Sequence, residues 1–276
     1  MAATVSRLLP GIGFVMGSAT GIGRSTSLAF ARAGVEGLFL ADINEEALRK
    51  TADEIRHAVP NLKVITQQVD IGNEQSCVDC VRSAAKAFGR IDYVLNNVGI
   101  GGDQKPTIQQ ESAELTKVLN VNFVGLWISQ REQVKQMLTQ EKLQIPSGRG
   151  NRGVITNTAS ILGLVGGPVG ASPYAASKHA ILGMTKTEAA AYSKEGIRIN
   201  SIYPGYVSTA ILGNNDPELR SEIESKQTAL IPMGRLGDAD EIADCAVFLS
   251  SHMASYVTGS ALVVDGYVFL MIGANS

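Results

Sequence analysis

The sequence predicts an α/β fold: a single, doubly wound parallel sheet of about seven strands with helices on both faces. Three observations carry this expectation. Short runs rich in Val, Ile and Leu alternate with longer segments of helical period. Runs such as Val154-Ile155 and Val263-Val264 are nearly continuously apolar, as strands buried from both sides must be. No linker, repeat or low-complexity segment divides the 276 residues, so one domain over 1–276 is expected.

The elements follow in order. A strand at 12–16 (Ile12 to Met16) runs into a glycine-rich turn and a helix at 22–33, whose buried side is Ile22, Ala29, Phe30 and Ala33. A strand at 37–42, a helix at 44–58, a strand at 62–69, a helix at 72–88 and a strand at 91–96 continue the alternation. A long helix is expected over 108–139. The polar, Gly-rich stretch Ser147 to Gly153 reads as a surface loop before a strand at 153–158. A helix at 173–194 follows, with Ser172 as N-cap and Pro173 at the first helical position, where its missing N–H costs nothing. A strand at 197–203 then opens a long connection, Gly205 to about Ile231, with a short helix near 216–228. A helix at 238–250 and a strand at 261–265 complete the alternation. Ligands of open α/β sheets bind at the carboxyl ends of the strands, so the Gly205–Ile231 connection is a candidate lid.

Composition narrows the function classes. A net charge of −2 leaves no basic footprint for nucleic acid and no polybasic membrane patch, so neither partner is expected. No stretch has the length of a signal peptide or a transmembrane helix. Three cysteines make no disulfide framework; Cys77 and Cys80 read as reduced thiols on a helix, which places the chain in a reducing, cytoplasmic setting. His57, His179 and His252 have no ligand spacing, so no metal is expected.

The turn Gly17-Ser18-Ala19-Thr20-Gly21-Ile22-Gly23 lies between the first strand and the first helix. Glycines there permit a tight turn, let backbone approach a pyrophosphate, and let the helix pack close to the strand. The helix N-terminus then faces the negative charge. Gly11-x-Gly13 precedes the strand and does not qualify. Asp42 ends the second strand about 20 residues past the turn, the offset of an acid that binds the adenosine ribose. A carboxylate there accepts from the ribose hydroxyls and repels a 2′-phosphate, which favours NAD over NADP. Arg24, the residue after Gly23, is the competing signal. These features make the sheet one of Rossmann type.

Tyr174 and Lys178 stand one turn apart on the helix expected over 173–194. A phenol titrates near 10, and a nearby ammonium favours its phenolate. Bringing the phenol to neutrality corresponds to about 4 kcal/mol of differential interaction. The expectation is therefore that Lys178 lowers Tyr174.

Taken together these residues resemble the short-chain dehydrogenase/reductase family over almost the whole chain. Gly17, Gly21 and Gly23 resemble its glycine motif, and Asp70, with Val69 or Ile71 beside it, resembles the residue that binds the adenine amino group. Asn96-Asn97-Val98-Gly99 resembles the Asn-Asn-Ala-Gly segment; Asn122, Ser160, Tyr174 and Lys178 resemble the catalytic tetrad. Pro204-Gly205 and Thr209 resemble the segment that meets the nicotinamide; Arg235 and the run Glu241 to Gly266 resemble the final helix and strand. The resemblance implies a dinucleotide site of Gly17, Ser18, Gly21, Ile22, Gly23, Asp42, Ile43, Asp70, Ile71, Asn97, Val98, Gly99, Tyr174, Lys178, Pro204, Gly205, Val207 and Thr209.

It also implies hydride transfer between nicotinamide and substrate carbon, with Tyr174 moving the proton. Ser160 would hydrogen-bond the substrate oxygen, Lys178 would lower the phenol and bind the ribose, and Asn122 would hold a water that links Lys178 to solvent. Asn120 is a competitor for the asparagine, but the run Val121 to Gly125 favours Asn122. Four departures from the family pattern stand out. Met16 replaces Thr, Val98 replaces Ala, Tyr267 replaces the second Gly of the Asp-Gly-Gly ending, and the interval from Ser160 to Tyr174 is one residue longer than usual. An apolar Met16–Val98 contact is expected to substitute for the threonine hydrogen bond, and Gly163, Gly166, Gly167 and Gly170 to absorb the extra residue.

Apolar residues dominate Ile161 to Val165, and Tyr206 and Ile211 are placed to line the second loop. The expected substrate is a small, uncharged, fairly apolar alcohol or ketone. The apolar tail Val268 to Ile272 is expected to pack against another subunit, in a homotetramer or dimer, or near the pocket. The alternatives are an NADP-dependent biosynthetic ketoreductase, and a non-redox or non-catalytic cofactor-binding member of the same fold.

Overall fold

Every strand of the sheet runs the same way. In the computed structural model, which describes residues 7–209 and 225–268, β1 (Ile12–Met16), β2 (Gly37–Asp42), β3 (Lys63–Gln68), β4 (Tyr93–Asn96), β5 (Gly153–Thr158), β6 (Ile197–Pro204) and β7 (Ala261–Val264) form a parallel sheet. Their order is β3-β2-β1-β4-β5-β6-β7, so the order reverses between β1 and β4. Phe14 pairs with Phe39 of β2 on one side and Val94 of β4 on the other. A crevice opens at such a reversal, at the carboxyl ends of the strands.

Successive side chains of a strand point to opposite faces, and β1 feeds two cores. Val15 joins the apolar cluster beneath α1 (Gly21–Arg32), α2 (Glu45–Ala58) and α7 (Ala239–Ser250). Phe14 and Met16 join the cluster beneath α3 (Glu74–Phe88), α5 (Gly125–Leu138) and α6 (Ser172–Tyr192). Helix ends are fixed by local chemistry. Asn44 and Asn73 cap α2 and α3 by accepting from Ala47 N and Ser76 N, and Gly89, at φ 78°, ends α3 in the left-handed region. Asp238 and Glu241 form a capping box on α7.

The long helix expected over 108–139 is corrected. A separate 3-10 turn occupies Thr107–Gln109, and α4 (Ser112–Leu119) is joined to α5 through one turn of π-helix, Asn120–Val124. The wider turn stops against Gly125, where a Cβ would come within 2.0 Å of the Ile71 carbonyl oxygen; only glycine lets the helix approach the β3–α3 connection this closely. The start of α6 is corrected by one residue: Ala171 is the N-cap, no side chain caps it, and Ser172 is already helical. Of the expected short helix, residues 225–228 are helical and 216–224 lie outside the described residues. Cys77 and Cys80 are free, buried thiols on α3.

Met16 and Val98 meet the same apolar cluster, and the Met16 sulfur also accepts from Ser129 Oγ at 3.6 Å. Tyr267 has a φ of 80°, a conformation that glycine adopts freely and tyrosine does not, and its N–H donates to Asp265 Oδ1. Val268 is buried with Ile161 and Ile231, and Leu162 and Tyr206 pack against them; residues 269–272 of the expected apolar tail lie outside the described residues.

Candidate active site

A cavity of about 710 Å³ runs along the carboxyl ends of the strands. Its first wall is the turn after β1. Gly17 and Gly21 have φ of 79° and 53°. A Cβ at Gly23 would come within 1.8 Å of Gly17 O, so the turn cannot close over a side chain there. α1 starts at Gly21 with no acidic residue in its first turn, so its free N–H groups and dipole face the cavity unopposed. This cradle fits a pyrophosphate.

Asp42 reaches the cavity wall from β2. Its Oδ2 accepts from Ala19 N at 2.9 Å and its Oδ1 from Asn44 N at 3.0 Å, which fixes the carboxylate beside the turn. Arg24, the competing signal, instead pairs with Glu54 of α2. Ile43, Val69, Asp70 and Ile71 line the cavity beyond Asp42, and Asn97, Val98 and Gly99 form its floor at the end of β4. Pro204, Gly205, Val207 and Thr209 close it from β6. The Thr209 methyl lies 3.3 Å from where a Gly21 Cβ would stand, so this segment reaches back across the glycine turn.

Two expected cofactor contacts do not line the cavity. The Ser18 side chain is fully buried and donates to Ala41 O at 3.2 Å, so it ties the turn to β2. Gly23 is likewise buried, and its role is the close approach to Gly17.

The other end of the cavity is built by β5 and α6. Ser160, Tyr174 and Lys178 all line it. Ser160 sits just past β5, and its Oγ accepts from Leu162 N at 3.2 Å within a 3-10 turn, Ile161–Gly163. That turn and the glycines after it carry the chain from Ser160 to α6. Lys178 lies one turn beyond Tyr174; its Nζ stands 5.5 Å from the Tyr174 ring centroid and donates to Thr158 O at 3.0 Å.

Burial pulls the Lys178 ammonium down to about 8. Burial also pushes the Tyr174 phenol above its ordinary value, and a hydrogen bond with Ser160 pulls it partly back. The expected lowering of Tyr174 by Lys178 is therefore corrected for the polypeptide alone. The ammonium lies over the ring face and is committed to a carbonyl, and desolvation outweighs the Ser160 hydrogen bond.

Asn122 lies behind the cavity wall. It does not line the cavity but is fully buried on the π-turn, while Asn120 is exposed. Its Oδ1 accepts from Ile100 N at 2.8 Å; its Nδ2 donates to Ile100 O at 2.9 Å and to Ser177 Oγ at 3.1 Å. Ser177 Oγ donates in turn to the Tyr174 carbonyl at 2.6 Å. The amide thus pins the loop after β4 to the first turn of α6, and one Oδ1 lone pair remains. A Cβ at Gly99 would stand 3.4 Å from Lys178 Nζ and 3.5 Å from Asn122 Oδ1, so glycine keeps that space open.

The sequence did not single out Ile100, Gln104, Lys117, Pro168, Val169 or Gln227, all of which line the cavity. Gln104 has a φ of 53°, and a Cβ on Gly170 would come within 2.1 Å of its carbonyl, so the β4–α4 and β5–α6 loops touch backbone to backbone at the mouth. Neither loop has a periodic pattern that announces this. His179 is exposed and faces Ala175 O. Among the described residues no cluster of three or more His, Cys, Asp or Glu is arranged to hold a metal ion, and no helix is long and apolar enough to cross a membrane.

Comparison with known proteins places this geometry. A family model described as Enoyl-(Acyl carrier protein) reductase matches residues 17–267. The chain is 37% identical over 268 residues to the short-chain dehydrogenase srdC of Neurospora crassa, covering 94% of this chain and 96% of the relative. It is 34% identical over 255 residues to a cyclohexanol dehydrogenase of an Acinetobacter species, covering 92% and 93%. Among solved structures, a crystal structure of levodione reductase superposes with a TM-score of 0.85 at 32% identity, covering 95% of this chain and 98% of that one.

Proposed function

The chain belongs to the short-chain dehydrogenase/reductase family, whose members are NAD(P)-dependent oxidoreductases of CH–OH groups, and on that premise we propose that it interconverts a secondary alcohol and a ketone on a small, apolar substrate with NAD. One observation carries the reading: Ser160, Tyr174 and Lys178 share a cavity with the glycine turn and the Asp42 carboxylate. A bound nicotinamide dinucleotide supplies or accepts the hydride.

This chain's residues do the remainder. The N–H groups at the start of α1 hold the pyrophosphate, and Asp42 accepts from the ribose hydroxyls and disfavours a 2′-phosphate. Tyr174 carries the proton. In the polypeptide its phenol is protonated at neutral pH, ready to donate to a carbonyl oxygen. The oxidation direction needs added positive charge to stabilise the phenolate. Ser160 donates to the substrate oxygen, where charge develops in the transition state. Lys178 binds the ribose, and Asn122 holds α6 and the β4–α4 loop in place around them.

Part of the cavity lining is apolar: Ile100, Ile161, Leu162 and Val169 contribute to it together with Tyr206. Relatives named for cyclohexanol and levodione point the same way, to a hydroxyl or carbonyl on a carbocycle. The reading includes one domain over the whole chain, a cytoplasmic location consistent with the free thiols, and a homo-oligomer.

The test is a panel of alicyclic ketones, cyclohexanone first, with NADH and NADPH compared by loss of reduced-nicotinamide absorbance. NADH is expected to give a kcat/KM at least about tenfold higher, a preference of about 1.4 kcal/mol. Tyr174→Phe is expected to lose about 10²–10⁴ in kcat while still binding NADH. No turnover across the panel, or a clear preference for NADPH, would overturn the reading.

A further inference from the structure

We infer that Glu188 sets the polarity of a buried amide network that aligns the four elements carrying the site residues, and that Gln130, Asn157 and Glu188 are positioning residues for the proposed reaction. The inference rests on that proposed function and on a set of hydrogen bonds lying under the site rather than in it.

Gln130 Nε2 donates to Glu188 Oε2 at 2.7 Å. Gln130 Oε1 accepts from Asn157 Nδ2 at 2.7 Å, and the same Nδ2 donates to Thr185 Oγ1 at 3.3 Å. Asn157 Oδ1 accepts from Asn96 Nδ2 at 3.0 Å. Asn96 and Gln133 then close on each other, Asn96 Nδ2 to Gln133 Oε1 at 3.0 Å and Gln133 Nε2 to Asn96 Oδ1 at 2.9 Å. The four amides and Thr185 are at most 1% exposed, and Glu188, at the outer end, is partly buried.

An amide has one donor end and one acceptor end, and turning it over exchanges them. Four amides in series therefore have more than one self-consistent orientation unless an end is fixed. An ionised carboxylate accepts only, so Glu188 requires the Nε2 of Gln130. Gln130 must then offer Oε1 to Asn157, which must offer Nδ2 in return and present Oδ1 to Asn96. The carboxylate thus determines the direction of every bond as far as β4.

The anchored elements are those that deliver the site. Asn157 stands three residues before Ser160 on β5. Asn96 immediately precedes the cofactor-facing Asn97, Val98 and Gly99. Gln130 and Gln133 follow the π-turn that bears Asn122. Thr185 lies two turns beyond Lys178, on the same buried face of α6. An apolar core would hold these elements together at least as firmly, but apolar contacts tolerate sliding, whereas directional bonds do not. Small displacements of a reacting group can cost about 10²-fold in rate, so register is what such a network has to offer.

The experiment compares Gln130→Leu, Glu188→Leu and Glu188→Gln with the wild type in the full chain. It uses NADH with cyclohexanone, or with the best ketone of the panel, at a temperature well below melting. The two leucine variants are expected to lose about tenfold in kcat with KM for NADH within about twofold. Glu188→Gln, which can offer an acceptor but no longer compels one, is expected to fall between wild type and Glu188→Leu in kcat, with KM for NADH again within about twofold. Leucine variants that melt earlier yet keep wild-type kcat would overturn the inference, as would a Glu188→Gln variant with the kcat of the wild type. Should the leucine variants not fold, side-chain amide hydrogen exchange in the isotopically labelled wild type decides. Slow exchange at Asn157 and Gln133 is expected, and exchange at the rate of a solvent-exposed amide overturns the network. That measurement needs no turnover, so a wild type inactive on the whole panel would count against the proposed reaction and leave the network separately tested.

Discussion

Tyr174 is a phenol held above its ordinary pKa by burial, with Ser160 as the opposing influence and Lys178 beside it, itself lowered to about 8. The pH dependence follows from the protonation state each direction needs. Reduction requires the neutral phenol, so kcat for ketone reduction is expected to be flat at low pH and to fall as pH rises through the phenol's value in the complex. Oxidation requires the phenolate, so kcat for the alcohol is expected to rise over the same range. Parallel pH–rate profiles in the two directions check this, and profiles of the same sign would contradict it. Tyr267 offers a second test at this scale. Its φ of 80° costs about 1 kcal/mol or more, against the roughly 0.5–1 kcal/mol of chain entropy that a glycine would add. Tyr267→Gly is expected to melt at or slightly above the wild type. Tyr267→Val, β-branched at a positive φ, is expected to lose about 1–2 kcal/mol by thermal denaturation. That Tyr174, Ser160 and Lys178 belong together was legible from the resemblance of their motifs to the family's, and the one-turn spacing of Tyr174 and Lys178 is local information; the three line one cavity. The direction of the Tyr174 shift was not, because desolvation depends on walls contributed by residues far away in sequence.

At the scale of elements the π-turn matters most. It turns Asn122 inward to pin Ile100 and α6, and it stops where Gly125 meets Ile71. Gly125→Ala improves helix propensity by about 1 kcal/mol but drives a Cβ into the Ile71 carbonyl. The net expectation is a loss of about 1–3 kcal/mol in chemical denaturation, with a fall in kcat as Asn122 shifts. Unchanged stability would mean that the two segments separate without cost. Sequence periodicity read this region as one uninterrupted helix for two reasons. A single wide turn moves the phase of the pattern by only one residue, and α5 buries Gln130, Gln133 and Ser129, so its inward face does not look apolar. The strands were easier: their Val, Ile and Leu runs answer burial on both faces, and the boundaries found differ from those expected by a residue or two.

The whole molecule presents apolar surface that its own fold does not cover. Leu115, Val124 and Trp127 on the outer side of α4, the π-turn and α5 are each about 40% exposed, and Arg131 stacks on the Trp127 ring. This supports the proposed homo-oligomer. Trp127→Glu is expected to lower the mass measured by light scattering, and a wild type that is monomeric at micromolar concentration would refute assembly. The parallel doubly wound sheet was the most legible feature of all, since it follows from the alternation of elements and needs no single residue. Its strand order has a consequence for the newborn chain. β1 pairs on one side with β2, which emerges soon after it, but on the other with β4, some 80 residues later. Until Asn96 has left the ribosome, β1, an interior strand of the finished sheet, is an open hydrogen-bonding edge, and a stalled or truncated product exposes it to its neighbours. Refolding from denaturant should accordingly be slow and concentration-sensitive, with aggregation competing until the two halves of the sheet have met.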